Sequence, residues 1–183
     1  MSGCNVNLVS GSLDLVNFLL LNSANVNAQL DDGEAALHIA ARNGHLNVAK
    51  ALIQNGADVN CKTIQGFTPL HKAVIFEYET IVRVLLQHGA NPNVFVFDGE
   101  NAYTPLHFAA ERNCNGILCA LLEYKANADI PSLTGETPLS LAEAGSILIS
   151  NNADINIKTN NNIAPLQTAI KEGHLNIVKL FLM

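Results

Sequence analysis

The chain has 183 residues, 49% of them apolar and 14% charged, with a formal net charge of −6. That hydrophobic content suits a sizeable core and excludes a disordered segment, while ten Lys and Arg scattered along an acidic chain do not supply the clustered basic surface that nucleic acid requires. Apolar runs such as Phe18-Leu19-Leu20-Leu21 fall well short of the ~20 residues of a membrane span, and the opening MSGCNVNLVSGS has neither the basic region nor the apolar core of a signal peptide.

Taken in chain order, the first patterned segment is GSLDLVNFLLLNSANVN from Gly11, an apolar helix closing in a polar turn. It returns from Gly44 as GHLNVAKALIQNGADVN and from Gly173 as GHLNIVKLFLM. A second motif sets the register between copies: AALH at 35, TPLH at 68 and 104, TPLS at 137 and APLQ at 164. Successive spacings are 33, 36, 33 and 27 residues. Each copy runs on through an apolar stretch to a turn, as in NGADVN at 55, HGANPN at 88, KANADI at 125 and NNADIN at 151.

The residue types explain the unit. Thr68-Pro69 puts a capping hydroxyl at a helix start and proline in the first turn, where its missing N–H costs nothing. A helix is predicted to about Phe76, followed by a second whose buried face is Ile81, Val82, Leu85 and Leu86. Gly89 closes it as the left-handed C-terminal residue. Such a pair of helices cannot bury its apolar faces alone, so each copy needs its neighbour.

The motifs together resemble the ankyrin repeat, whose pattern is T-P-L-H-x-A, a second helix and then G-A-D-V-N. The resemblance runs from Ser2 to Met183 and implies an all-α solenoid of helix-turn-helix units with β-hairpin-like loops. A single array is expected: a partial repeat over 1–28, repeats over about 29–61, 62–94 and 95–130, a shortened one over 131–157 and a truncated one over 158–183. It also implies that His38, His71 and His107 bond backbone in the neighbouring turn. His45, His88 and His174 likewise sit in repeat positions. Cys4, Cys61, Cys114 and Cys119 show no metal-ligand spacing and read as reduced thiols. No nucleophile–base pair and no glycine-rich phosphate loop is visible, so neither an enzyme nor a cofactor is expected.

Three departures carry further expectations. The loop NVFVFDGENAYTPLH is three residues longer than its counterparts and places Phe95, Val96, Phe97 and Tyr103 in a normally polar hairpin. The fifth repeat lacks six residues, and its AEAG replaces the end of one helix and the start of the next. A bend or a locally weak repeat is expected there. The last helix ends on Leu180, Phe181, Leu182 and Met183 without its turn. That edge suggests an array excised from a longer chain, ahead of docking to another domain or a second copy.

In the ankyrin family, partner proteins contact the hairpin tips and the exposed side of the first helix. Carried over by position, the second repeat offers Asp31, Asp32, Glu34 and Arg42, with Asn43. The third offers Ile64, Gln65, Phe67, Ile75 and Phe76. The fourth offers Phe95, Phe97, Tyr103, Glu111 and Arg112, with Val96. Leu133, Thr134 and Glu136 follow from the fifth, and Asn160, Asn161, Ile163, Lys171 and Glu172 from the sixth. Apolar residues replace the usual polar ones in the third and fourth repeats, which makes an anchor for an unknown protein partner if they share a surface. Packing between repeats is the competing reading for those aromatics. The alternative function is an architectural or oligomerising segment acting through its apolar ends. A cytoplasmic setting is expected, with a secreted effector or toxin fragment also compatible. The resemblance further implies that Asn27, Asn60, Asn93 or Asn156 could be hydroxylated.

Overall fold

The computed structural model describes residues 12–99, 101–142, 145–171 and 173–181. Expectations that fall on residues 1–11, Glu143, Ala144, Glu172, Leu182 and Met183 lie outside the described residues. The chain divides into two compact halves, Met1–Asn91 and Pro92–Met183. Both are built from short helices, as expected of the all-α repeat.

The first half holds α1 (Leu13–Leu21), α2 (Ala36–Arg42), α3 (Leu46–Gln54), α4 (Pro69–Ile75) and α5 (Glu79–Gln87). First helices pack on one another, α2 on α4, while second helices form a parallel row of α1, α3 and α5. Each row is cemented to the other within a repeat, α2 to α3 and α4 to α5. The predicted apolar face of α5 is fully inside: Ile81, Val82 and Leu85 are 0% exposed and Leu86 3%. Leu37 of α2, Leu52 of α3 and Leu70 of α4 are buried as well.

Local chemistry sets the helix ends. Thr68 caps α4, its hydroxyl 3.4 Å from the His71 amide, and Pro69 takes the first helical position. Past α5, Gly89 adopts φ 87°. Its amide donates to Leu86 and that of Ala90 to Leu85, the paired closure that a left-handed glycine permits.

The second half holds strands β1 (Val96–Asp98) and β2 (Asn101–Tyr103), then α6 (Pro105–Glu111), α7 (Asn115–Glu123), α8 (Pro138–Leu141), α9 (Ser146–Ser150), α10 (Pro165–Lys171) and α11 (Leu175–Phe181). The long loop of the fourth repeat is a true antiparallel hairpin with Val96 opposite Tyr103, Phe97 opposite Ala102 and Asp98 opposite Asn101. First helices α6, α8 and α10 pack in sequence, and α7 packs on α9. The missing residues of the fifth repeat are taken from both helices: α8 has 4 residues and α9 has 5, where α6 has 7 and α7 has 9. Gly145 lies just before α9 rather than inside a helix.

Candidate functional site

The hairpin tips of the first half are tight, self-bonded turns. Leu30 and Thr63 amides donate to the Glu34 and Phe67 carbonyls, each at 2.9 Å, and the Ile64 amide donates to Asp32 of the preceding tip at 2.9 Å. Asp31 and Asp32 are exposed, and one Asp32 oxygen accepts the Glu34 amide at 2.9 Å. Ile64 stands 78% exposed and Phe76, at the end of α4, 48%. Gln65 is exposed and Ile75 half-buried.

Glu34, Arg42 and Phe67 are placed differently. Glu34 is buried, its carboxylate 3.0 Å from the Arg42 guanidinium and 3.4 Å from the Lys72 ammonium. The same Lys72 Nζ lies 4.5 Å from the centroid of the Phe67 ring, a cation–π contact. Phe67 also meets His71 edge-on, with centroids 6.1 Å apart. These residues therefore tie a tip to two first helices. Lys72 was not among the sequence candidates; its partner Glu34 belongs to the previous repeat, so no local spacing signals the pair.

In the second half the hairpin alternates as a strand must. Along β1 Val96 is 0% exposed, whereas Phe97 is 64% and the preceding Phe95 40% exposed; the small Ala102, opposite Phe97, is 5% exposed. Tyr103 turns onto α6: its ring stacks on His107 at 5.3 Å and meets Phe108 edge-on at 5.5 Å. Its hydroxyl donates to Glu136 at 3.1 Å and accepts from the Asn101 amide at 3.3 Å. Burial, followed by the Glu136 carboxylate, pushes the phenol up to about 12. Glu111 and Arg112 are exposed at the end of α6.

The tip of the fifth repeat leans on that of the sixth. Asn160 donates its backbone amide to Thr134 at 3.0 Å and its side-chain amide to Leu133 at 2.6 Å. Only glycine fits between them, since Gly135 has φ 84° and a Cβ there would lie 2.5 Å from the Asn160 nitrogen. Leu133, Thr134, Asn160, Asn161 and Ile163 are all exposed, as is Lys171.

Buried histidines fix the spacing beneath the tips. His38 Nδ1 accepts the Ala35 amide at 3.1 Å, so its Nε2 carries the proton and donates to the Phe67 carbonyl at 2.9 Å. His107 repeats this with Thr104 and the Glu136 carbonyl at 3.1 Å. Burial lowers both, His107 to about 4. Asparagines do the same work at the opposite loops: Asn27, Asn60 and Asn93 donate to the carbonyls of Gly56, Gly89 and Lys125. Burial, then Asp58, pushes the free Cys61 thiol up to about 12, which suppresses the thiolate needed for nucleophilic chemistry. Among the described residues no cluster of His, Cys, Asp or Glu has the arrangement of a metal site, and no helix is long and apolar enough to cross a membrane.

A family model described as ankyrin repeats (3 copies) matches residues 6–96, and one described as ankyrin repeats (many copies) matches residues 100–142. No curated protein matches the chain. Repeats of this family generally mediate protein–protein interaction and are typically non-catalytic.

Proposed function

The chain belongs to the ankyrin repeat family, and on that premise we propose that it holds a partner protein against its hairpin tips and the exposed sides of its first helices, without catalysis. One observation carries the reading: large apolar side chains stand out at partner-facing positions of the family. They are Ile64 and Phe76 in the first half, 78% and 48% exposed, and Phe97 in the second, 64% exposed. Exposed Asp31 and Asp32 lie on the tip that adjoins Ile64, whose amide donates to the Asp32 carbonyl. An apolar anchor beside charge that stays wet is how interface energy is usually distributed.

Glu34, Arg42, Phe67 and Tyr103 act in this reading by holding the surface in shape, and the contact falls to Asp31, Asp32, Ile64, Gln65, Ile75, Phe76, Phe95, Phe97, Glu111 and Arg112. Half-buried thiols at Cys61, Cys114 and Cys119, none in a disulfide among the described residues, support a reducing, cytoplasmic setting. The test is affinity capture followed by mass spectrometry, comparing the native chain with Ile64→Ser, Phe76→Ser and Phe97→Ser. The expected result is a protein captured by the native chain and lost from these variants at unchanged helical circular dichroism. Capture that survives all three substitutions overturns the reading.

A second reading, self-association through an apolar end, is favoured by α1. Leu15, Phe18 and Leu21 are 45%, 63% and 85% exposed there. Light scattering separates the two: a concentration-dependent dimer abolished by Phe18→Ser with Leu21→Ser supports self-association, and a monomer at all concentrations rejects it.

A further inference from the structure

A groove of about 300 Å³ is walled on one side by Glu136 and Ser140 of the fifth repeat and on the other by Thr159, Thr168 and Lys171 of the sixth. That volume stands at the small end of ligand cavities, which run from about 300 to 1,000 Å³. One wall carries an anion and the other a cation. The Glu136 carboxylate makes no ion pair among the described residues, so the two charges are not closed on each other.

Hydrogen bonds inside the fold decide what each wall has left to offer. Glu136 spends Oε2 on the Tyr103 hydroxyl at 3.1 Å and the Thr134 hydroxyl at 3.0 Å. Its Oε1 bonds no described residue and remains a charged acceptor. Ser140, 7% exposed, donates its one side-chain proton to the Thr137 carbonyl at 2.8 Å, so toward the groove its oxygen can only accept. The sixth repeat is the reverse. Thr159 Oγ1 accepts the Ile163 amide at 3.2 Å, which leaves its own proton to donate. Thr168 and Lys171 stand three residues apart on α10, the spacing that puts two side chains on one helix face, and they add a hydroxyl and an ammonium. The fifth-repeat wall accepts and the sixth-repeat wall donates.

We propose that this groove binds a small free α-amino acid as its zwitterion, with the ammonium on Glu136 Oε1 and the Ser140 oxygen, and the carboxylate on the Lys171 ammonium and the hydroxyls of Thr159 and Thr168. An ammonium has three donors and no acceptor, and a carboxylate has acceptors only, so each end of the ligand suits one wall and not the other. A simple amine would bring its charge toward Lys171, and a simple acid toward Glu136; like charges set against each other disfavour both. Ile163, also on the wall, offers apolar surface to a short side chain.

The isotope-labelled full chain is titrated with glycine and with each common L-amino acid in turn, following backbone amide NMR shifts. Saturable shifts centred on Ser140, Thr159, Thr168 and Lys171 are expected with the smallest of them, glycine, alanine or serine. N-acetyl-L-alanine, which lacks the ammonium, and L-alaninamide, which lacks the carboxylate, are each expected to bind at least tenfold more weakly than alanine. Lys171 is exposed, so Lys171→Met removes one charge without touching the interior and weakens binding at least fivefold. Thr168→Val, which keeps the shape and removes a hydroxyl, weakens it by a smaller factor. Glu136→Gln weakens it at least fivefold, with helical circular dichroism checking that the loss of the Tyr103 contact has not unsettled the fold. No saturable shift with any amino acid, equal binding of alaninamide or acetylalanine, or unchanged affinity in Lys171→Met overturns the assignment.

Discussion

Burial holds the His107 ring down at about 4 against the pull of the Glu136 carbonyl and carboxylate, and lowers His38 as well. Each ring is neutral when folded because its Nδ1 must accept and its Nε2 must donate. Protons therefore bind the unfolded chain first, near the ordinary ~6.5 of histidine. A lowered folded value gives stability that is complete above that pH and is lost as pH falls toward 4. For His107 the loss by pH 4.5 is on the order of 2–3 kcal/mol. Unfolding free energies from urea titration at pH 7.5 and 4.5 should differ by that amount, and His107→Gln should be less stable at pH 7.5 yet lose less on acidification. Equal acid sensitivity in the variant would mean that another group sets it. The histidine positions were legible in TPLH itself. The contacts of Glu34 and Phe67 were not, because Lys72 reaches both across a repeat boundary, and the sequence shows Glu34 and Phe67 only as tip residues.

Among elements, the fifth repeat stands apart. Its helices α8 and α9 are short, Ser140 replaces the bridging ring, and at the end of the fourth repeat, which leads into it, Asp129 replaces the bridging asparagine. Asp129 still accepts the Asp154 amide at 2.7 Å, as Asn93 accepts that of Asn127 at 2.8 Å. A carboxylate cannot make the second bond, the donation that Asn93 gives to Lys125. Asp129→Asn supplies a donor toward the Asn152 carbonyl, which holds the equivalent place, and should stabilise the chain by about 0.5–1 kcal/mol in urea denaturation. In the native chain, amides of α8 and α9 should exchange with solvent sooner than those of α6 and α7. Equal protection in both pairs would contradict a weak fifth repeat. Much of this was visible beforehand: the spacing of 27 residues, the TPLS motif and Gly145 all point to it. The three-residue excess of the loop, with Phe95, Val96, Phe97 and Tyr103 in it, also announced an apolar hairpin, but not that Tyr103 folds down onto His107 and Phe108. Strand alternation sends neighbours to opposite faces, and which face meets α6 depends on a register fixed by pairing across Gly99.

At the scale of the whole molecule, a repeated fold carries an outward surface. Interior positions are dictated by each copy's need for the next, so the helices and their buried leucines follow from periodicity. The tips are free of that need, and there this chain departs from polar turns to Ile64, Phe95 and Phe97. Such side chains gain from leaving water at roughly 25 cal/mol per Å² of apolar area, which gives a partner its grip. The second-helix side supplies the contrast: Gln54 and Gln87 are exposed on α3 and α5 and have no place in the proposed contact. The direct measurement is capture of the same protein, quantified by mass spectrometry, with Ile64→Ser and Phe97→Ser set against Gln54→Arg and Gln87→Arg. Loss of the captured protein from the first pair and its retention by the second, all four variants keeping native helicity, is the expected result; the opposite pattern would place the binding surface on the second helices and contradict the proposal.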